Sequence, residues 1–269
     1  MNCFIFSGVS TVFPDICGCN PFDDLVSHLK RSGIENIFTD SERESSLVKR
    51  TSYSHVTNLL GDTWLAAYEG MITRQDPGDL AWSASRWGSG NAASLACSGE
   101  PWKHLTVLTD KTGSVQSCEK NPSPELARTN LCFSGLVLVK GEGFNPEKPL
   151  GGHNTSAFLV PGYWNILSDR ESYLLAAHHI LSGRVSPWPG AKPVVLNSAI
   201  PQSCSVSGTL WVGEGCSVGE NCVMENCVIM DHSVVGGGSF LRNCLVSPGA
   251  SVRPGTLIED KYLTFLGEL

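Results

Sequence analysis

The sequence CVMENCVIMDHSVVGGGS, residues 222–239, shows the pattern that decides the fold. It belongs to a longer run, from about Ile200 to Leu257, in which apolar residues recur at steps of five or six. Three steps make one lap of 17 or 18 residues, and a period this short and regular is typical of a stacked architecture. The recurring apolar residues are Ile200, Val206, Val212, Val218, Val223, Ile229, Val235, Phe240, Val246 and Val252.

Each step also predicts a corner of the coil. The corner residues are mostly glycine, asparagine and histidine, which tolerate the left-handed backbone of a tight turn. They are Ser203, Thr209, Gly215, Asn221, Asn226, His232, Gly238, Asn243, Gly249 and Gly255. An antiparallel β domain is the alternative, but it needs hairpin turns of varied length and does not explain a fixed lap. We therefore predict a parallel β-helix of roughly three coils.

The chain has eleven cysteines, and no pair has the CxxC spacing of a zinc or redox site. Five of them follow a corner, where a small apolar residue fits the inside of a coil. These are Cys204, Cys216, Cys222, Cys227 and Cys244. We expect them to be buried, reduced and without a metal. Free thiols indicate a reducing compartment, so we expect a cytoplasmic protein.

The composition excludes some classes of function. A formal net charge of −7 argues against broad binding to nucleic acids or anionic membranes. No apolar run reaches the length of a membrane span. The apolar start of the chain lacks a cationic flank, and it predicts a buried strand and not a signal peptide.

The part of the chain before the coils predicts an α/β domain. Residues 3–7 form a strand, a helix begins at Pro21 after an Asn20 N-cap and ends before Gly33, and Ile34–Phe38 forms the next strand. This order predicts a mainly parallel sheet with helices on its faces.

The last helix before the coils and the segment after it set the domain boundaries. Ser168 and Glu171 predict a capping box at the start of that helix. Pro187, Pro189 and Pro193 follow it and predict a stiff linker. We therefore predict an α/β domain at 1–185, a linker at 186–193, and coils with a C-terminal cap at 194–269.

Four fragments in a fixed order resemble one family. They are Asp110-Lys-Thr-Gly113 with the following Glu119-Lys120, then Gly135-Leu-Val-Leu138, then Gly162-Tyr-Trp164, and last the coils. Together they resemble the sugar-1-phosphate nucleotidyltransferases, and are closest in style to mannose-1-phosphate guanylyltransferase and ADP-glucose pyrophosphorylase. The resemblance implies a Rossmann-like nucleotidyltransferase domain with a mainly parallel sheet, followed by a short left-handed parallel β-helix.

The resemblance also implies a chemistry. In this family a glycine-rich loop after the first strand wraps the nucleoside triphosphate, an arginine and a lysine offset its charge, and two aspartates hold Mg²⁺. The sugar phosphate attacks the α-phosphorus in line, and pyrophosphate leaves. The residues that match the family's binding positions are Gly8, Thr11, Glu119, Lys120, Gly135 and Trp164.

The catalytic positions of the family are changed in this chain. Val12 replaces the arginine, and Cys19-Asn-Pro21 stands where the lysine is expected. Glu69-Gly70 stands where the family has Gly-Asp, and Asn165-Ile166 where the second aspartate is expected. Each such cation or metal typically lowers the reaction barrier by several kcal/mol. We therefore predict a degenerate pyrophosphorylase-like protein with no catalytic residues and no bound metal; Mg²⁺ is expected only if the protein is active.

Two other functions stay open. An active sugar-1-phosphate nucleotidyltransferase would need a rearranged site, for example with Glu69 as a metal ligand, although a surface glutamate is the simpler interpretation. A hexapeptide-repeat acyltransferase would need a histidine base, and turn geometry explains His232 better. Lys120 is either a phosphate contact or a solvated lysine, and Trp164 either stacks on a base or packs in a core.

The coils also predict partners for this chain. Open coil edges must be capped or paired, so we expect a homo-oligomer or a complex with a catalytic homologue, in which this chain serves as a regulatory, binding or assembly subunit. A nucleotide or a sugar phosphate is the expected ligand. Nucleic acids and membranes are not expected partners.

Overall fold

The computed structural model describes residues 1–7, 16–17, 20–42, 46–87, 90–151, 154–185, 200–264 and 267–268. The chain divides into two compact units. Unit 1 comprises Met1–Ser10 and Phe22–Ile166, and unit 2 comprises Thr11–Pro21 and Leu167–Leu269. The predicted linker at 186–193, and the predicted site residues Gly8 and Thr11, lie outside the described residues.

Unit 1 is a mixed α/β structure. Its helices are α1 (Pro21–Arg31), α2 (Tyr53–Leu60) and α3 (Pro77–Trp87). Its strands are β1 (Asn2–Phe6), β2 (Asn36–Thr39), β3 (Lys49–Arg50), β4 (Thr63–Tyr68), β5 (Met71–Thr73), β6 (Asn91–Cys97), β7 (Leu105–Thr109), β8 (Val115–Lys120), β9 (Leu131–Lys140), β10 (Thr155–Leu159) and β11 (Trp164–Ile166).

The main sheet of unit 1 has the strand order β10-β6-β9-β4-β1-β2-β3. The neighbours of β1, and the pairs β2–β3 and β10–β6, are parallel, as the strand–helix–strand order predicted. Strand β9 runs antiparallel to both β4 and β6, and the β7–β8 hairpin pairs with β9. Alternate residues such as Phe4 and Ile5 enter separate apolar cores on the two faces of this sheet.

Helix α1 confirms its predicted start at Pro21 and its end before Gly33, which has a φ of +83°. The first turn carries Asp23 and Asp24, and the last turn carries Lys30 and Arg31, so the charges complement the helix dipole. Apolar residues of α1 bury one face against the sheet.

Unit 2 begins with helix α4 (Arg170–Leu181). Its cap corrects the prediction by one residue. The amide of Ser172 donates to Asp169 Oδ1 at 2.7 Å, and the amide of Asp169 donates to Ser172 Oγ at 3.1 Å. The predicted pair Ser168 and Glu171 was wrong because the Asp169 carboxylate is a charged acceptor at the positive end of the helix. In the described part of the chain, no helix is long and apolar enough to cross a bilayer.

The rest of unit 2 is a stack of parallel strands. They are β12 (Ser205–Val212), β13 (Ser217–Val218), β14 (Val223–Ile229), β15 (Val234–Val235), β16 (Phe240–Arg242), β17 (Leu245–Val246), β18 (Ser251–Val252), β19 (Leu257–Glu259), β20 (Tyr262–Thr264) and β21 (Gly267–Glu268). Strand β12 pairs with β14, β14 with β16 and β16 with β19, all parallel. Only the terminal pair β20–β21 is antiparallel among the described strands of this stack. The predicted parallel coils are therefore confirmed, and the antiparallel alternative is excluded.

Most predicted corners have the left-handed backbone that their residue types indicated. Positive φ values occur at Gly215, Asn221, Asn226, His232, Gly238, Asn243, Gly249 and Gly255. Ser203 and Thr209 were wrong because neither has a positive φ, and Gly208 takes the positive φ (+66°) in place of Thr209. The register of β12 shifts between Ser207 and Leu210, and the extra residue in this lap moves the turn by one position.

One column of corners is joined by side chains. Asn226 Nδ2 donates to Asn243 Oδ1 at 3.3 Å, and Asn243 Nδ2 donates to Asp260 Oδ1 at 3.0 Å. These partners are 17 residues apart in the chain, one lap of the coil. The ladder fixes the register of the coils at a corner where the backbone alone is strained.

The inward residues on one side differ from the predicted ones. Met224 and Leu241 are buried in the coil core, whereas Val223 is 37% exposed and Phe240 is half-buried. The five-residue step between successive inward residues therefore comes directly after Met224 and after Leu241. The prediction had placed it directly before Val223 and before Phe240. The short asparagine corners at Asn226 and Asn243 account for the missing residue.

The cysteines of the coils are partly as predicted. Cys222, Cys227 and Cys244 are buried, but Cys204 and Cys216 are half-buried. The latter two belong to the first described coil, where no described coil covers the outer edge. Cys227 and Cys244 stack in neighbouring coils, and both the hydrogen bond between the two side chains and burial raise the pKa of the Cys227 thiol.

We expect a thiol reagent to modify the exposed Cys97 and Cys118 first, and Cys222, Cys227 and Cys244 only after denaturant is added. Burial keeps the reagent away from all three, and it also raises the pKa of the Cys222 and Cys227 thiols, which disfavours their reactive thiolates. Peptide mass mapping along a labelling time course is the measurement, with Cys97→Ser as the control that removes a fast site. Rapid modification of Cys227 in the native protein would contradict the packing described here.

Candidate functional site

The carboxyl ends of three parallel strands of unit 1 meet at one edge of the sheet. Strands β1, β2 and β4 end at Phe6, Thr39 and Tyr68. Directly after β1, the amide of Ser7 donates to Asp40 Oδ1 at 2.7 Å. Open α/β sheets bind ligands at this edge. The predicted glycine-rich loop would continue from Ser7, but Gly8 and Thr11 lie outside the described residues.

Glu69 lies at the same edge and is buried. Its amide donates to the carbonyl of Phe6 at 3.0 Å, so the residue still belongs to the end of the sheet. Its side chain is among the buried polar groups, and the expectation of a surface glutamate was wrong. Gly70 follows with a φ of +83° and turns the chain into β5.

Strand β11 places Trp164 and Asn165 beside β5. Asn165 lies opposite Ile72 in an antiparallel pair and is buried. The neighbouring residue of β5, Met71, packs on Gly135, which has a φ of +101°. The positive φ strains any other residue at this position, and a Cβ atom there would also displace the flexible Met71 side chain, so the position favours glycine. The structure thus brings the predicted residues Gly135 and Trp164 to one small region of unit 1.

A buried hydrogen-bond network holds this region rigid. Ser134 Oγ lies 2.6 Å from Gln75 Oε1 and 2.8 Å from Ser94 Oγ, and Gln75 Nε2 donates to the carbonyl of Val160 at 2.8 Å. All three side chains are fully buried. The network joins the irregular part of β9 before Gly135 to the segment that leads into β11. Fully satisfied networks of this kind fix one arrangement of the backbone.

Glu119 and Lys120 end the exposed strand β8. Lys120 pairs with Leu105, and the amide of the next residue, Asn121, donates to the carbonyl of His104 at 3.0 Å. The ring of His104 lies 4.9 Å from the ring of Trp164, in an edge-on contact. His104 therefore connects the strand end of Lys120 with Trp164.

Sequence reasoning missed His104 and Asp40. Asp40 carries a usable signal, because it is a carboxylate directly after a predicted parallel strand. His104 carries none, since its contact with Trp164 joins residues 60 positions apart in the chain. The edge-on ring pair and the Lys120 ammonium provide an aromatic surface and a cation. Asp40 and Glu69 provide carboxylates at the sheet edge. Within the described ranges, no three His, Cys, Asp or Glu side chains converge closely enough to hold a metal ion.

The coils of unit 2 match a known family. Residues 192–269 match the family model described as the GMPPB C-terminal domain. A segment of 61 residues is 31% identical to the bifunctional protein GlmU of Pseudoalteromonas atlantica, covering 20% of this chain and 14% of that protein. Both matches cover only part of the chain, and they show what that part is similar to.

The match to the family model covers the coils and does not reach the candidate site. Residues 192–269 lie within unit 2, while Glu69, Lys120, Gly135 and Trp164 lie in unit 1. The chain spans far less than two thirds of the matched relative's length, since the match covers 14% of it. The proposals for the activity and the ligands of the chain therefore rest on its own residues.

Proposed function

We propose that this chain is a catalytically degenerate nucleotide-sugar pyrophosphorylase-like protein that serves as a binding, regulatory or assembly subunit. The main observation behind this proposal concerns two positions where the family resemblance implies metal-binding aspartates. Gly70 and Asn165 occupy those positions in this chain. Gly70 has no side chain. The Asn165 side chain is neutral and buried in the β11–β5 pair.

The residues present fit a magnesium ion poorly. Mg²⁺ in phosphate-transfer sites is usually held by one or two carboxylates together with substrate phosphates. Glu69 is displaced by one position from the family's aspartate, and Asn165 supplies an amide. We therefore derive no step through a metal ion.

The helix that follows the predicted phosphate loop also argues against a triphosphate. The first turn of α1 carries Asp23 and Asp24, which already occupy the positive end of the helix dipole. Its N-terminal residues are Asn20 and Pro21, where the resemblance implies a lysine. Arg74 neutralises Asp24, so a triphosphate placed here would meet the carboxylate of Asp23, and Val12 supplies no guanidinium.

A ligand site that keeps fewer of the family's binding groups is still supported. Lys120 is an exposed cation, and Trp164 with His104 offers an aromatic surface close to the same strand end. This combination suits the phosphate and the ring of a sugar phosphate or a nucleotide. The remnant binding set in this proposal is Gly8, Thr11, Glu119, Lys120, Gly135 and Trp164.

The proposal includes the architecture that the resemblance implies. We infer that the coils form a left-handed hexapeptide-repeat β-helix at 194–269, joined by the linker at 186–193 to a nucleotidyltransferase-like domain at 1–185. The chain acts in the cytoplasm, since its described cysteines are free thiols. It works as a homo-oligomer or with a catalytic homologue.

An active enzyme with a rearranged site is the second candidate, and the buried Glu69 at the sheet edge favours it. A hexapeptide-repeat acyltransferase has less support. His232, its one candidate base in the described coils, has a φ of +60° at a corner, so turn geometry accounts for it.

Calorimetric titration with nucleoside triphosphates and sugar 1-phosphates, with and without Mg²⁺, tests the ligand site. We expect weak binding that Mg²⁺ does not strengthen, and a loss of about tenfold in affinity for Lys120→Ala, because a charge-assisted contact to phosphate typically contributes this much. The matched control is Lys111→Ala, which removes an exposed lysine from the turn between β7 and β8. Tight binding that requires Mg²⁺ would contradict the proposal.

A further inference from the structure

We propose that the outward side of helix α3 in unit 1 binds an acidic segment of a partner protein. This side, called the α3 surface, consists of Trp82, Arg86 and Trp87. An aspartate or glutamate of the partner pairs with Arg86, and a neighbouring apolar side chain of the partner packs on the indole rings. The inference is independent of whether the candidate site binds or turns over a ligand.

The two sides of helix α3 differ in an unusual way. Leu80 and Ala84 are fully buried and belong to the core cluster of unit 1. Trp82 and Trp87 belong to the same helix, yet they are 61% and 63% exposed. A surface helix normally presents charged and polar residues to water, and tryptophan is highly buried on average. Two open indole rings on one short helix therefore indicate a surface that another molecule covers.

The size of the open apolar area indicates what kind of molecule covers it. A buried tryptophan removes roughly 150–250 Å² from water, so the exposed parts of Trp82 and Trp87 together offer on the order of 200–300 Å². A standard stable interface between two folded proteins buries roughly 800 Å² on each partner. The α3 surface is too small for that, and it suits a short segment that binds weakly and reversibly.

Arg86 lies against both indole rings. Its Cζ atom is 5.7 Å from the centroid of the Trp82 ring and 5.5 Å from the centroid of the Trp87 ring. Trp82 and Arg86 are four residues apart, so they share one side of the helix. Attraction between the guanidinium and the rings holds the arginine in place before a partner arrives. Binding to a side chain that is already ordered loses less conformational entropy.

The polar donors of Arg86 are available to a partner. Its side chain is exposed, and within the described ranges it has neither an ion pair nor a hydrogen bond. A guanidinium carries five N–H donors in a planar fork, and this fork matches the two oxygens of a carboxylate. Tryptophan and arginine are also the residue types that most often dominate the binding energy of protein interfaces. The composition and the free donors both favour an acidic protein partner.

The local charge favours the same partner. Lys140 Nζ donates to the carbonyl of Ala84 at 3.3 Å, which places a second cation against the last turn of α3. Asp79 lies in the first turn of α3, about two turns away from Arg86. The part of the helix that carries the indole rings is therefore cationic, although the whole chain has a net charge of −7. Charge complementarity attracts an acidic segment and disfavours a basic one.

A nucleotide would also combine a flat ring with negative charge. Sites for small molecules, however, are usually concave and enclose most of the ligand. The α3 surface is the outward side of a helix, and both of its rings keep more than 60% of their surface exposed. An extended peptide can cover such a surface, so the geometry favours the acidic segment over the nucleotide.

Selection of short random peptides on the immobilised full chain tests the α3 surface without a known partner. We expect enrichment of peptides in which aspartate or glutamate stands next to an aromatic or large aliphatic residue. Arg86→Glu should reverse this preference towards lysine and arginine, because a carboxylate then lies beside the rings. Arg128→Glu is the matched control, since it makes the same charge change at an exposed position of unit 1 outside the α3 surface. It should select the same acidic peptides as the natural sequence.

Fluorescence anisotropy of the most enriched peptide, carrying a dye, then measures the affinity of each variant. We expect Trp82→Ala and Arg86→Ala each to weaken binding at least tenfold. Arg86→Lys keeps the charge but loses the planar fork, and it should also lower the affinity. Raising the salt concentration should weaken binding to the natural chain, because the contact is ionic and exposed.

Three results would each overturn the α3 surface. The first is a selection that enriches no acidic peptides on the natural chain. The second is an acidic peptide that binds Arg86→Glu or Trp82→Ala as tightly as the natural chain. The third is a nucleoside monophosphate that displaces the selected peptide from the natural chain, since the surface would then be a nucleotide site. Circular dichroism of each variant checks the fold, and every change is made at an exposed side chain.

Discussion

Replacing Asp24 with alanine should lower the free energy of unfolding by about 3 kcal/mol, the lower end of the roughly 3–5 kcal/mol lost when one partner of a buried ion pair is removed. Asp24 Oδ1 and Oδ2 accept hydrogen bonds from Arg74 Nη2 and Nη1, both at 2.7 Å. The Asp24 side chain is 3% exposed and that of Arg74 is 21% exposed. The lower end applies because water still reaches the arginine. Urea denaturation followed by tryptophan fluorescence is the measurement.

The ion pair connects two elements that the sheet does not join directly. Asp24 belongs to the first turn of α1, and Arg74 directly follows β5 and donates its amide to Tyr163 at 2.7 Å. Loss of Asp24 leaves the guanidinium largely buried and without its bidentate partner. We therefore expect the segment around β5 and β11 to loosen first.

Two variants separate this explanation from a general effect on helices. Asp79→Ala removes an exposed acidic residue from the first turn of α3 in the same unit, and it should cost no more than about 1 kcal/mol. The double variant D24A/R74A should cost less than the sum of the two single changes, because the single changes each leave one charge unpaired. Additive losses would show that Asp24 and Arg74 do not stabilise each other.

The coils were predictable because their signals are local. A step of five or six residues and a glycine, asparagine or histidine at each corner reflect one backbone conformation that repeats every lap. Two of the errors have local causes that the spacing alone does not reveal. Gly208 replaced Thr209 at a corner because one lap holds an extra residue. Met224 replaced Val223 in the core because the asparagine corner is shorter than the others.

The candidate site was less predictable because its contacts are distant in the chain. Motifs located Lys120 and Trp164, but only the folded β7–β8 hairpin places His104 between them. Glu69 is buried where its amide donates to the carbonyl of Phe6, 63 positions earlier in the chain. Single residues carry no signal for such contacts.

The prediction with the largest expected effect is that the chain has no measurable turnover. Removing one group that stabilises developing charge typically slows an enzyme by about 10²–10³-fold. Four positions of this kind are changed here, at Val12, at Cys19-Asn-Pro21, at Gly70 and at Asn165. Because such losses are not additive, we expect turnover at least about 10⁴-fold below that of a homologue with all four groups.

The decisive measurement is pyrophosphate release by the purified chain incubated with each nucleoside triphosphate, a panel of sugar 1-phosphates and Mg²⁺. A catalytic homologue with the complete set of groups, assayed alongside, establishes that the assay detects turnover. We predict no release above the protein-free background, for the natural sequence and for Lys120→Ala alike. Robust Mg²⁺-dependent release that disappears in Lys120→Ala would contradict it, and would show an active enzyme with a rebuilt site.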